Sequence, residues 1–179
     1  MESAEEDFRI KTHSGIYFDL KNPTPGMVNI RDIAWHLSRL CRFTGACNTT
    51  NIYSVAEHSI LVANLACTVV DTVYTKKVFL YALLHDAHEA YTGDINRPLK
   101  KLLGPNIKVI EARIQNAVHE AVGIPVYHPW HLLIKGADNT ALEREQELFM
   151  RGSLYQYAPT TLTPAQAERE FLSAFWGCQ

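Results

Sequence analysis

His85 and Asp86 follow directly on Val78–Leu84, an uninterrupted apolar run of seven residues. A charged carboxylate at the end of so apolar a stretch is costly unless an ion pair or a metal compensates it. Glu89 stands four residues after His85 and three after Asp86, so on a helix the three share one face, with His88 close by. Imidazole and carboxylate together suit a divalent cation with mixed nitrogen and oxygen ligands. The spacing here is H-x-x-H-E. It matches neither H-E-x-x-H nor H-x-x-E-H, so a zinc protease is disfavoured.

Such a cation needs ligands from elsewhere in the chain. His58 is the best candidate, in the first turn of a segment otherwise apolar at Val55, Ala56, Ile60, Leu61 and Val62. A histidine there also serves as a capped or core side chain. A further carboxylate is needed for charge balance. Asp138 sits among the small residues Gly136, Ala137 and Asn139, but spacing alone does not separate it from Glu143 or Asp32. His36, His119, His128 and His131 are scattered and have no partner at useful spacing. Cys41, Cys47, Cys67 and Cys178 form no C-x-x-C pair and sit in no nucleophile motif, which disfavours a zinc knuckle, a disulfide frame and a cysteine hydrolase.

The elements that must position these groups read as helices. Residues 1–29 look irregular, punctuated by Gly15, Pro23, Pro25 and Gly26, with one short strand at Ile16–Leu20. Asn29 can cap a helix to about Cys41, whose apolar residues recur at the helical period. Arg42–Tyr53 reads as a loop. Ser54 and Glu57 form a capping box for a helix to about Thr68. A long helix over Tyr74–Thr92 stops at Gly93. Asn106 starts a fourth, closed by Gly123 and Pro125. A fifth spans about Trp130–Arg151 and stops at Gly152. Thr163, Pro164 and Gln166 open a sixth. The expectation is an all-α bundle of about six helices with a short irregular or strand segment before it, one domain over residues 1–179 with its core at about 28–152.

Composition sets outer limits. With 179 residues, 47% of them apolar and 20% charged, the chain is ordinary globular material that can bury a core without staples. The net charge of −2 implies no basic face for a nucleic-acid backbone. No apolar run approaches the roughly 20 residues of a membrane helix. The acidic start MESAEEDFRI lacks the pattern of a signal peptide, so a cytoplasmic protein is expected.

The order His58 … His85-Asp86 … Asp138 resembles the HD-domain metal-dependent phosphohydrolases. The segments YFDL (17–20), DIA (32–34), CRF (41–43), YSVAEH (53–58), HDAHEAYTGD (85–94), RPLK (97–100) and AD (137–138) are similar to the small branch of 5′-deoxynucleotidases and phage HD hydrolases. Size and motif spacing are most like those of phage dATP triphosphohydrolases. One departure falls between Arg42 and His58, where the loop is about two residues longer than in many relatives and Ala46-Cys47 replaces a common Gly-His.

The resemblance implies that His58, His85, Asp86 and Asp138 hold one divalent cation, zinc or cobalt, with manganese or iron also compatible. It implies Glu89 as the residue that orients or deprotonates water and Asp94 as a second acid or base. Arg42 and Lys100 would meet phosphates, Phe43 would pack on the sugar against a 2′-hydroxyl, and Pro98 would wall the base. In some HD proteins a histidine at the place of His88 binds a second metal; here it is expected to face the pocket or solvent. The implied substrate is a deoxynucleotide, dATP first, acted on by a homo-oligomer (dimer or hexamer) in the cytoplasm, the host's if a phage encodes it. No nucleic-acid or membrane partner is implied. The alternatives are a broad 5′-deoxynucleotidase acting on monophosphates and a catalytically silent nucleotide-sensing module.

Overall fold

The computed structural model describes residues 7–70, 73–126, 128–150 and 159–178. Two short strands, β1 (Arg9–Lys11) and β2 (Tyr17–Asp19), pair antiparallel with Ile10 opposite Phe18. Only β2 was expected. Its partner is held by a turn in which the Thr12 amide donates to the Ile16 carbonyl at 2.9 Å and Gly15 takes a φ of +90°.

Eight helices follow among the described residues: α1 (Ile30–Leu37), α2 (Val55–Cys67), α3 (Thr75–Leu83), α4 (Glu89–Thr92), α5 (Arg97–Leu103), α6 (Pro105–Ala121), α7 (His131–Glu145) and α8 (Pro164–Trp176). The protein is therefore all-α, with two helices more than expected. No described helix is long and apolar enough to cross a membrane.

α2 is the centre of the bundle and packs against α3, α7 and α8. Its capping box forms as the sequence implies: the Ser54 hydroxyl accepts from the Glu57 amide, and the Glu57 carboxylate accepts from the Ser54 amide at 3.0 Å. The other Glu57 oxygen accepts from the Leu162 amide at 2.8 Å, tying the start of α2 to the segment before α8. Val55, Ala56, His58, Ser59, Val62, Ala63 and Ala66 are buried, so one broad face of the helix is fully enclosed.

The structure divides the long helix expected over Tyr74–Thr92. Val78, Leu80, Tyr81, Ala82, Leu83 and Leu84 are buried as expected, but residues 84–88 form a tight turn between α3 and α4. The cause is local. A continuing helix would offer the Ala82 carbonyl to the Asp86 amide. Here the carbonyl is taken by the His85 amide at 3.3 Å and by the His85 ring Nδ1 at 2.7 Å. The next amides then bond three residues back, Ala87 to Leu84 and Glu89 to Asp86. His85, Asp86 and Glu89 thus sit on a corner of the chain and not along one regular helix face.

Other boundaries move for similar reasons. α1 ends at Leu37 and not near Cys41, because Cys41 bridges Ser54 in extended conformation and the Arg42 amide donates to Tyr53. α5 was not expected. Asn96 caps it by accepting from the Leu99 amide. α6 opens at Gly104-Pro105 and not at Asn106. α7 runs into a π-helical turn over Gln146–Met150, and the expected stop at Arg151-Gly152 lies outside the described residues. α8 begins on the Thr163–Gln166 capping box.

Ser54→Ala removes one half of the box at the head of α2. An N-cap loss of this kind costs about 1–2 kcal/mol. The urea midpoint should fall with the slope of the transition unchanged. An unaltered midpoint would show that α2 is held by packing alone.

Candidate active site

Three elements bring the candidate ligands together: α2 supplies His58, the turn between α3 and α4 supplies His85 and Asp86, and α7 supplies Asp138. His58 is fully buried, with Nε2 at 3.3 Å from Asp138 Oδ1 and 3.8 Å from Asp86 Oδ2. His85 Nε2 lies 3.1 Å from Asp86 Oδ2. Ligand atoms of His58, His85 and Asp86 all fall within 4.8 Å of one another.

The imidazoles are oriented from behind. His58 Nδ1 is 2.6 Å from Glu145 Oε1, and His85 Nδ1 is 2.7 Å from the Ala82 carbonyl. Both partners are acceptors, so each Nδ1 carries a hydrogen, and in the neutral ring each Nε2 keeps its lone pair, while in the protonated ring it faces the carboxylates as a donor. Neither Nε2 makes a hydrogen bond, although both are buried. Two orphaned lone pairs aimed at two carboxylates are a donor set that fits a divalent cation. Burial works against charge on Asp86, yet His85 beside it holds its pKa well below the usual carboxylate range. Asp138 is likewise lowered against burial, by His58 and by Lys135, whose Nζ is 2.6 Å away.

The other carboxylates considered do not join the cluster. Asp32, on α1, accepts from the Ser14 amide at 2.8 Å and the Ser14 hydroxyl at 2.6 Å, and so anchors the β-hairpin. Glu143 is exposed on α7.

A cavity of about 350 Å³ opens in front of this cluster. Arg42, Phe43, Asp86, Glu89, Asp94, Pro98, Lys100 and Asp138 all line it, so eight of the ten candidate residues share one chamber. His85 lines the chamber behind it, and His58 lies beneath. Burial, then the nearby Asp86 and Asp94, pushes the Glu89 carboxyl up to about 10. Burial also raises Asp94, with Arg42 opposing. Lys100 Nζ pairs with Glu111 Oε1 at 2.9 Å and lies 3.9 Å from Glu89, while Lys101 is exposed. Phe43 and Thr44 both adopt positive φ, 54° and 53°, a left-handed conformation that costs non-glycine residues of order 1 kcal/mol or more each. The wall of the chamber is therefore strained where Phe43 stands.

His88 departs from expectation. It is buried, and its ring faces α6 rather than the pocket or solvent: Nδ1 is 3.2 Å from Gln115 Oε1 and Nε2 is 3.8 Å from Glu111. Its ligand atom also falls within 4.8 Å of those of Asp86 and Glu89. Three groups were missed by sequence reasoning. Glu145 binds His58 and Arg42, Tyr53 donates to Glu145, and Glu111 binds Lys100. Glu145 had a readable signal, since it follows Asp138 by seven residues and thus lies on the same helix face. Tyr53 and Glu111 had none. Cys47 is no thiolate nucleophile, because burial raises its thiol to about 11.

The set-aside histidines are not all scattered. A second cavity, of about 340 Å³, lies across Asp86, Lys135 and Asp138 from the first, and His119, His128 and His131 line it with Tyr81 and Gln115. Tyr81 packs on His128 with ring centres 3.7 Å apart. His119 is 7% exposed and accepts from the Gln115 amide nitrogen at 2.8 Å. Burial, then His128, lowers its pKa to about 4.

Between the ordinary histidine value and that lowered one, the unfolded chain binds a proton that the native protein refuses. Stability should therefore fall as the pH drops through this range, by about 2 kcal/mol from this residue between pH 7.5 and 5. Urea unfolding at both pH values checks it. His119→Gln should remove that part of the loss, and an identical pH slope in the variant would contradict the assignment.

The sequence matches the model of the YfbR-like 5′-deoxynucleotidases over residues 33–149. It is 39% identical to the uncharacterized protein YfdR of Escherichia coli K12 over 116 residues, 65% of this chain and 59% of that protein. An uncharacterized protein of Rhodobacter capsulatus is 37% identical over 136 residues, 75% of this chain and 69% of its own length. The matched stretch takes in every residue of the histidine–carboxylate cluster and of the chamber in front of it, and the chain belongs to the YfbR-like 5′-deoxynucleotidase family.

Proposed function

We propose that the protein is a divalent-metal-dependent phosphohydrolase of deoxynucleotides, with dATP as its preferred substrate and deoxyadenosine and triphosphate as products. The observation that carries this reading is the pair of orphaned Nε2 atoms facing Asp86 and Asp138 at the floor of a chamber with Arg42 and Lys100 in its wall. His58, His85, Asp86 and Asp138 would hold one cation, zinc or cobalt before manganese or iron. Such a cation supplies charge neutralisation on the phosphoryl oxygens and a more acidic water.

The remaining steps fall to the chain's own residues. Arg42, whose Nε and Nη2 are held by Glu145, offers its remaining guanidinium hydrogens to the phosphate oxygens, and Lys100 offers a point charge. Glu89 orients the attacking water and takes its proton when its carboxyl is ionised, a form that a cation held beside it by Asp86 would favour, and Asp94 delivers one to the departing 5′ oxygen. Phe43 packs on the sugar where a 2′-hydroxyl would sit, and Pro98 walls the base. The triphosphate is favoured by a feature beyond Lys100. Arg97 and Lys100 also line a neighbouring cavity of about 460 Å³ whose other lining includes Lys101 and Lys108 and no acidic residue. A chain of phosphates leaving the first chamber would run along these cations. The family description favours a second reading, a 5′-deoxynucleotidase acting on monophosphates. In either reading the chain works as one domain over residues 1–179 and as a homo-oligomer, a dimer or hexamer, in the cytoplasm.

Incubation with zinc or cobalt and each dNTP, NTP and dNMP, followed by chromatography, tests the proposal. Consumption of dATP with release of triphosphate is the expected result. Orthophosphate from monophosphates alone would select the second reading. Nucleotide binding without turnover would select a sensing module. Glu89→Ala should reduce turnover by roughly 10²–10⁴-fold with metal retained, whereas His85→Ala should lose both.

A further inference from the structure

Glu145 closes α7 and is 1% exposed. Its two oxygens meet four donors. Oε1 accepts from His58 Nδ1 at 2.6 Å and from the Tyr53 hydroxyl at 2.9 Å. Oε2 accepts from Arg42 Nε at 3.1 Å and Nη2 at 3.0 Å. Among the described carboxylates it is the one that joins His58 to Arg42, while Asp138 joins His58 to Lys135.

We infer that Glu145 is the positioning residue on which the cation site and the phosphate site are jointly built, fixing the tautomer of the His58 ring and the direction of the Arg42 fork. The inference rests on the roles proposed above for His58 and Arg42. Its physical core is a count. Four donors converge on this side chain and no acceptor does, so only an ionised carboxylate satisfies them. An amide of the same shape fails on one side or the other. With its oxygen toward His58, its NH₂ confronts the Arg42 N–H groups. With its oxygen toward Arg42, its NH₂ donates to His58 Nδ1, moves the ring hydrogen to Nε2 and blocks that atom as a ligand.

The surroundings hold the carboxylate in place. Asp138 precedes it by two helical turns on α7. The π-helical turn after it carries Phe149, whose carbonyl accepts from the Asn48 amide at 2.9 Å and whose ring packs on Tyr53 at 4.4 Å. The loop bearing Arg42 is thereby clamped to the helix bearing Asp138 and Glu145. A purely structural tether would stabilise the fold and leave the metal affinity alone. A positioning residue changes that affinity without touching the ion, typically by 10–100-fold.

The test uses the full chain, stripped with a chelator and titrated with Zn²⁺ against a chromogenic competitor. The His58 tautomer is read by ¹⁵N NMR, and KM for the nucleotide is measured in parallel. Glu145→Gln should raise the zinc Kd at least tenfold, with a displaced His58 nitrogen signal and a raised KM. Glu145→Asp should fall between the variant and the natural chain in each readout. A folded Glu145→Gln protein that binds zinc within twofold of the natural chain overturns the inference, whatever KM does. If that variant does not fold, Glu145→Asp decides by the same criterion. Failure of the natural chain itself to bind zinc or cobalt would instead overturn the metal reading beneath it.

Discussion

Putting charge inside a helical bundle is the constraint that organises this molecule. Beside a Glu89 whose carboxyl burial pushes toward its neutral form, Asp86, Asp138 and Glu145 are gathered around His58 and Arg42 in a region walled by α2, α3 and α7. Each would be prohibitive alone, since an uncompensated ion in such surroundings loses many kcal/mol of hydration. The compensation is shared. The Arg42 fork and the His58 ring lower Glu145 against its burial, the His85 ring lowers Asp86, and Lys100 stands between Glu89 and Glu111.

How far the sequence foretold this depends on the range of the interaction. Short-range signals were legible. The Ser54–Glu57 and Thr163–Gln166 boxes, the Asn29 cap and the Gly93 stop all appear where their residue types place them. The meeting of His58, His85, Asp86 and Asp138 was legible only through the family resemblance, because helical periodicity says nothing about which helices touch. Spacing alone did not separate Asp138 from Asp32; the resemblance named Asp138, and in the structure Ser14 claims Asp32 from eighteen residues away.

The misreadings have a common source. Tyr74–Thr92 looks like one helix because every residue in it tolerates a helix. A side chain, the His85 ring, captures the carbonyl that would continue it. α5 was overlooked because Pro98 suggested a wall and not the first turn of a helix, a position where proline is at home. His119, His128 and His131 looked unrelated because the connection between α6 and α7 turns back on itself, so residues on both sides of it line one cavity.

The hairpin at the start of the described chain carries a consequence of its own. The matched family stretch begins at Ile33, but Phe18 of β2 is fully buried and stacks on Tyr91 of α4 at 3.7 Å, two residues beyond Glu89. His36 fastens the same region by contacting the Ala90 carbonyl and accepting from the His13 amide. A piece of protein trimmed to the family boundaries would expose an aromatic face directly under the acid that faces the chamber. Phe18, which precedes the matched stretch, thus forms part of the packing beneath the helix that carries Glu89.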